Sequence, residues 1–191
     1  MKVWMMAAAS MTLLGACNML PGAGGGEPPL PPVQAGAQAP TQLQPAPSVQ
    51  QANVTPQVRQ GLEQQMVTYL DGYTQQYAQG MQHVTNVPDE IKALTPGHDH
   101  RWRVSLVANT QYAVLGACDN DCNNVDVELI DMRTGGVVAS DLLPDDYPVV
   151  NYTPTANGDY LARIILRTCT TAPCYTGMRL LTRPADAGGG K

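Results

Sequence analysis

Three absences bound this chain before any motif is weighed. Past its first sixteen residues there is no apolar run near the roughly 20 residues that a membrane-crossing helix needs. There is no basic stripe: 11 Lys and Arg stand against 16 Asp and Glu, for a formal charge of −5. Binding to nucleic acid or docking on anionic lipid requires clustered positive charge, so both are excluded as primary functions. There is also little to support nucleophilic catalysis. Ser105 and Ser140 are the only serines from Thr55 onward, both fall in predicted strands, and no Gly-x-Ser-x-Gly turn exists. The glycine-rich stretch 22–26 has no Lys-Ser/Thr partner and no following helix, which rules out a phosphate loop. Asp145-Asp146 sits in a Pro-flanked turn and is expected to be only a turn.

The first sixteen residues form a leader. Met1-Lys2 is a short positive region, Val3 to Leu14 is apolar, and Gly15 and Ala16 are small. Twelve residues rise about 18 Å as a helix, too short to span about 30 Å of hydrocarbon. The block Leu14-Gly15-Ala16-Cys17 resembles the lipobox of bacterial lipoproteins. That resemblance implies cleavage before Cys17, acylation of Cys17, and a place in the bacterial cell envelope. Asn18, where inner-membrane members often carry Asp, points to the outer membrane. Lys2 is the one charge in the leader, so the mature chain has 10 basic and 16 acidic side chains.

Residues 17–54 are expected to be a disordered tether. From Asn18 on they hold eight prolines, five glycines and a single charge, Glu27, too little apolar surface to offset ordering entropy. As a coil this stretch spans on the order of 35 Å. At Thr55-Pro56 a helix begins, with an N-cap hydroxyl and Pro at N1. Val58, Leu62, Met66, Leu70, Tyr73, Tyr77 and Met81 recur at three- and four-residue spacing, one apolar stripe. The stripe either packs on this domain or binds a partner, and Gly80 marks its end. Residues 55–97 are therefore an amphipathic helix and connector.

After Pro96-Gly97 the period becomes two. Strands are predicted near 102–108, 112–118, 125–131, 137–140, 148–153, 160–168 and 175–182, separated by polar turns. Seven short strands predict a mainly β protein, an antiparallel β-sandwich of jelly-roll type over residues 98–184, with 185–191 a flexible tail. Besides Cys17 there are four cysteines, Cys118, Cys122, Cys169 and Cys174. An even number in an exported domain predicts two disulfides rather than a four-thiolate zinc site, which favours Cys-x2-Cys knuckles. Each close pair brackets one predicted turn, so local bridges are expected.

Residues 98–181 resemble secreted bacterial β-sandwich domains related to pre-peptidase C-terminal (PPC) domains. The stretches that carry the likeness are Tyr112 to Asp119, Cys118-Asp119-Asn120-Asp121-Cys122, Asp141 with Asp145-Asp146-Tyr147-Pro148, Gly158-Asp159-Tyr160, and Cys169 with Pro173-Cys174-Tyr175. Where the group's next strand runs Asp-x-Asp-Leu, this chain has Asn124-Val125-Asp126-Val127. The resemblance implies a non-catalytic module beside exported enzymes or a stand-alone envelope protein, and some related domains bind calcium or polymers.

The acidic turn is the best candidate site. Asp119, Asp121 and Asn123 have the spacing of the first three oxygen ligands of a calcium loop, and Asp126 could join them. The alternative is a solvated turn pinned by a disulfide. His98-Asp99-His100 lacks a third ligand and is expected to be an exposed loop. The sequence thus predicts a non-catalytic envelope lipoprotein, attached through Cys17 and binding an envelope protein or cell-wall polymer, without a cofactor or with calcium. A calcium-dependent carbohydrate- or peptide-binding module and a metal-assisted hydrolase are the alternatives.

Overall fold

The computed structural model describes residues 27–183. The leader, Cys17 and the tail from residue 185 lie outside the described residues. The elements in chain order are β1 (Gln50–Gln51), α1 (Pro56–Tyr77), β2 (Gln82–His83), β3 (Glu90–Leu94), β4 (Asp99–Leu106) and β5 (Tyr112–Cys118). There follow β6 (Cys122–Asp131), β7 (Val137–Asp141), β8 (Val149–Tyr152), β9 (Gly158–Cys169), β10 (Thr171–Ala172) and β11 (Cys174–Thr182). All seven predicted strands are present. Of the other four, β1, β2 and β10 have two residues each, too few to show a period, and the five-residue β3 falls in the stretch read as connector.

Two antiparallel sheets face each other. One runs β8-β5-β11, with β2 and β3 both paired to the far side of β11; the other runs β4-β9-β6-β7. Val114, Met178 and Leu180 from the first meet Val104, Val125, Val127, Leu129, Ile164 and Leu166 from the second in one core. With no phenylalanine in the chain, aliphatic side chains do most of this filling. The chain is the mainly β sandwich preceded by a helix that the strand spacing predicts.

Alternation along a strand should leave the outer faces polar. Here both outer faces are covered. On the first sheet, Ala113, Leu115, Ala117, Tyr175 and Leu181 point outward and pack against Met66 and Leu70 of α1. Helix α1 begins at Thr55, whose hydroxyl accepts the Val58 N–H, with Pro56 at N1, as the sequence indicates. Arg179, outward on β11, forks onto Asp89 at 2.6 and 2.8 Å and reaches Asp71 on α1 at 2.6 Å. Of the two readings of the stripe, packing on the domain holds for its middle and for Met81; Val58 and Tyr77 remain exposed.

The second sheet is covered by the segment expected to be a disordered tether, and that expectation is corrected for residues 27–54. They form a strap. Glu27 accepts from the Arg101 N–H at 2.8 Å and meets His100 Nδ1 at 2.6 Å. The Gln34 N–H donates to Thr134 O, and the Val137 N–H to Gln38 O. Thr41 then crosses the middle of the sheet, and Gln50–Gln51 pairs in parallel with Thr171–Ala172. Two glycines permit the close approach. At Gly135 (φ +68°) a side chain would strike the Pro32 carbonyl, and at Gly97 (φ +80°) a Cβ would lie 2.6 Å from the Gln44 carbonyl.

The composition argument fails here for a physical reason. A segment poor in apolar residues cannot make a core of its own, but its backbone can satisfy polar groups that the sheet presents. Arg163 and Glu128 face each other across β9 and β6 on the outer side, each 1% exposed. Arg163 donates to Asp99 at 2.5 Å, to Glu128 at 3.0 Å and to the Thr41 carbonyl at 2.7 Å. Glu128 in turn accepts the Thr41 N–H at 2.9 Å and its hydroxyl at 2.5 Å. Ile130, Leu161 and Ile165, on the same face, are fully buried.

Removing one member of a buried charge network leaves the others uncompensated. Arg163→Met should therefore destabilise the protein by about 3–5 kcal/mol in urea unfolding. A chain beginning at Thr55 loses the strap and should melt more than about 5 °C below the full chain. The Asp99 carboxyl feels desolvation, which raises it, but Arg101 and Arg163 outweigh this and hold it below its ordinary range. A depressed carboxylate contributes stability above its unfolded value that is lost as pH falls through the folded one. Asp99→Asn should accordingly flatten the loss of stability below about pH 4, read as urea midpoints across an acid series.

Candidate functional site

The acidic turn lies where the chain passes from one sheet to the other, between β5 and β6. Its cysteines are bridged locally, Cys118–Cys122 with Cα atoms 5.9 Å apart, and Cys169–Cys174 forms the second bridge at 6.3 Å. Cys122 and Cys169 are register partners in the β6–β9 ladder, so both bridges occupy one end of the sandwich.

The structure does not gather the four predicted ligands around a common point. Asp119 is 3% exposed, and its carboxylate accepts the Tyr175 N–H at 2.7 Å and the Asp121 N–H at 3.3 Å. Desolvation raises its pKa, partly offset by those backbone donors. Asp121 accepts from the Thr170 hydroxyl, Asn123 from the Thr168 hydroxyl, and Asp126 from Arg167 Nε at 2.5 Å. Asp126 is also raised, chiefly by desolvation. Among the described residues no group of three or more His, Cys, Asp or Glu is arranged to hold a metal. What the turn does is lace the β5–β6 corner to β9 and β11. Asn124 keeps a buried Oδ1 without a partner among the described residues.

Of the two histidines, His98 is the exposed loop residue expected and His100 is not. His98 lies in the connection into β4, whereas His100 is within β4 and buried. Its Nδ1 lies 2.6 Å from Glu27 and its Nε2 3.2 Å from Glu90, so each ring nitrogen faces a carboxylate. His98 instead bonds locally to the Thr95 hydroxyl at 2.8 Å. His100 therefore joins strap and sandwich, and alternation alone could not reveal a carboxylate 73 residues away.

The third feature is an aromatic surface. Tyr69, Tyr73 and Tyr77 follow at four-residue spacing on α1, with ring centroids 6.1 and 5.8 Å apart. Tyr147, from the loop between β7 and β8, stacks on Tyr77 at 5.0 Å with planes 5° apart and leans on Tyr73 at 5.8 Å. Tyr77 and Tyr147 are more than a third exposed, and Leu142 and Leu143 of the same loop are more exposed still. The Tyr73 hydroxyl is pushed up to about 12 by desolvation first and then by the nearby Asp146 carboxylate. The helix stripe named Tyr73 and Tyr77; that Tyr147 completes the group depends on loop packing that no spacing rule encodes.

With this geometry in hand, comparison with known proteins adds no name: no protein-family model matches the chain, and no curated protein matches it.

The role of the turn can be tested without any ligand. Asp119→Ala strands two backbone donors, one of them buried, and should cost about 2–3 kcal/mol in denaturant unfolding. Asp121→Ala, which gives up an exposed hydroxyl contact, should cost under about 1 kcal/mol. Equal effects would mean that the turn is not braced through Asp119.

Proposed function

We propose that this chain is a non-catalytic lipoprotein of the bacterial cell envelope, a β-sandwich mounted on a membrane through Cys17 that binds or braces an envelope protein or cell-wall polymer. The observation that carries this reading is the strap. The segment following a lipobox-like sequence is bound to the domain from Glu27 onward. Even fully extended, the ten steps from Cys17 to Glu27 reach no more than about 35 Å. The mount is therefore short, and it enters the fold at the edge made by β4 and β3.

Two further observations support it. Two disulfides suit an oxidising compartment outside the cytoplasm. The resemblance to PPC-like domains implies non-catalytic modules that accompany exported enzymes or stand alone in the envelope. Among the described residues no helix is long and apolar enough to cross a membrane, so attachment in this reading falls to acyl chains on Cys17, more than one being needed for stable anchoring. The calcium-dependent reading is favoured less, because the carboxylates of the turn are engaged by backbone, hydroxyl and Arg167 donors.

The test is the position of the protein after cell fractionation. Cys17→Ser should move it from the membrane pellet to the soluble fraction. Retention of the variant in the pellet would refute the lipid anchor.

A further inference from the structure

We propose that the tyrosine surface formed by α1 and the β7–β8 loop docks a cationic polypeptide segment of an envelope partner. Lysine or arginine side chains of that segment lie over the rings of Tyr73, Tyr77 and Tyr147 and pair with Asp145 and Asp146. The source of the partner rests on the envelope reading above; the chemistry of docking does not.

Elements distant in sequence build this surface. Tyr73 and Tyr77 come from α1, and Tyr147 reaches them from a loop more than sixty residues later. The same loop holds Leu142, 47% exposed, and Leu143, 62% exposed. Large apolar side chains grouped with exposed rings mark interaction sites more often than chance placement does.

Charge selects the occupant. Elsewhere in the described residues many acids have cationic partners: Asp99 and Glu128 with Arg163, Asp126 with Arg167, Asp131 with Arg133, and Asp89 with Arg179, while Asp159 accepts the Ser105 hydroxyl. Asp141, Asp145 and Asp146 form no such ion pair among the described residues; Asp141 and Asp145 accept only backbone N–H groups. Desolvation first, then the nearby Asp141 and Asp146 carboxylates, raise Asp145 above its ordinary value, with the Tyr147 N–H pulling the other way. Ring faces carry negative electrostatic potential, so they add to the same field. A side chain with an aliphatic stem and a cationic head meets both demands, laying methylenes on rings and leucines while the head reaches a carboxylate. A neutral glycan would stack on the rings but leave the carboxylates uncompensated.

The experiment titrates the full chain, purified in detergent, with a peptide of alternating lysine and alanine about twelve residues long, followed by calorimetry and tyrosine ring resonances. A glutamate–alanine peptide of equal length and chitohexaose serve as the other ligands. The lysine peptide should bind saturably, and raising salt from about 50 to about 500 mM should weaken it. Asp145→Asn with Asp146→Asn, which keeps the size of both side chains, should weaken binding about fivefold or more. Tyr147→Ala should weaken it about threefold or more. The glutamate peptide and the glycan should not bind. No saturable binding of the lysine peptide, or binding unaffected by the paired Asn variant, would overturn the proposal. Preference for chitohexaose that is lost in Tyr147→Ala would overturn it in favour of a glycan platform. Detergent-purified chain gives the same answer whether or not Cys17 is acylated, so failure here is separable from failure of anchoring, which shows only in fractionation.

Discussion

Arg163 is the constraint around which the second sheet is organised. A guanidinium at 1% exposure is tolerable only if every face of it is answered. Asp99 answers from β4, Glu128 from β6, and the Thr41 carbonyl from the strap. Three segments far apart in sequence are thereby fixed to one side chain in the middle of β9. The planar fork of arginine suits this role because it presents several donors in fixed directions, which a lysine could not. Arg101 extends the network to the edge, donating to Asp99 at 2.9 Å and to the Pro28 carbonyl at 3.1 Å.

The two sheets thus solve the same problem differently. The outer face of the β5–β11 sheet is apolar and takes a helix, which buries Met66 and Leu70 completely. The outer face of the β6–β9 sheet alternates Arg163 and Glu128 with Leu161, Ile165 and Ile130, and takes an extended strap whose backbone and Thr41 side chain satisfy the charges. Proline suits such a strap because its fixed φ lowers the entropy lost on ordering. The functional consequence follows directly. Under the acyl anchor proposed for Cys17, a strap bound from Glu27 would leave few residues between sandwich and membrane; the tyrosine surface lies on α1, outside the opposite sheet.

Legibility in the sequence followed the range of the interactions. The seven predicted strands, β4 to β9 and β11, the N-cap at Thr55 and the inward stripe at Met66 and Leu70 all announce themselves within a few residues, because period and capping are local. The two disulfides were readable because each closes a loop of four or five residues. The strap was not. Its 27–54 composition matches a disordered chain, and the groups that order it, Glu128, Arg163, His100 and Gly135, are 73 or more residues away from the atoms they meet. The acidic turn misled for the opposite reason. Asp119, Asp121 and Asn123 have ligand spacing, but spacing does not say where each oxygen points, and Tyr175, Thr170 and Thr168 take them one by one.

Native-state hydrogen exchange at the strap decides most directly whether residues 27–54 belong to the fold. The Thr41 amide, bonded to Glu128, and the Ala52 amide, bonded to Ala172, should be protected to within about 1–2 kcal/mol of the amides of β6 and β9 and should open with them. Exchange of both amides at the rate of an unstructured chain, while β6 and β9 stay protected, would contradict the strap and return this segment to a free tether.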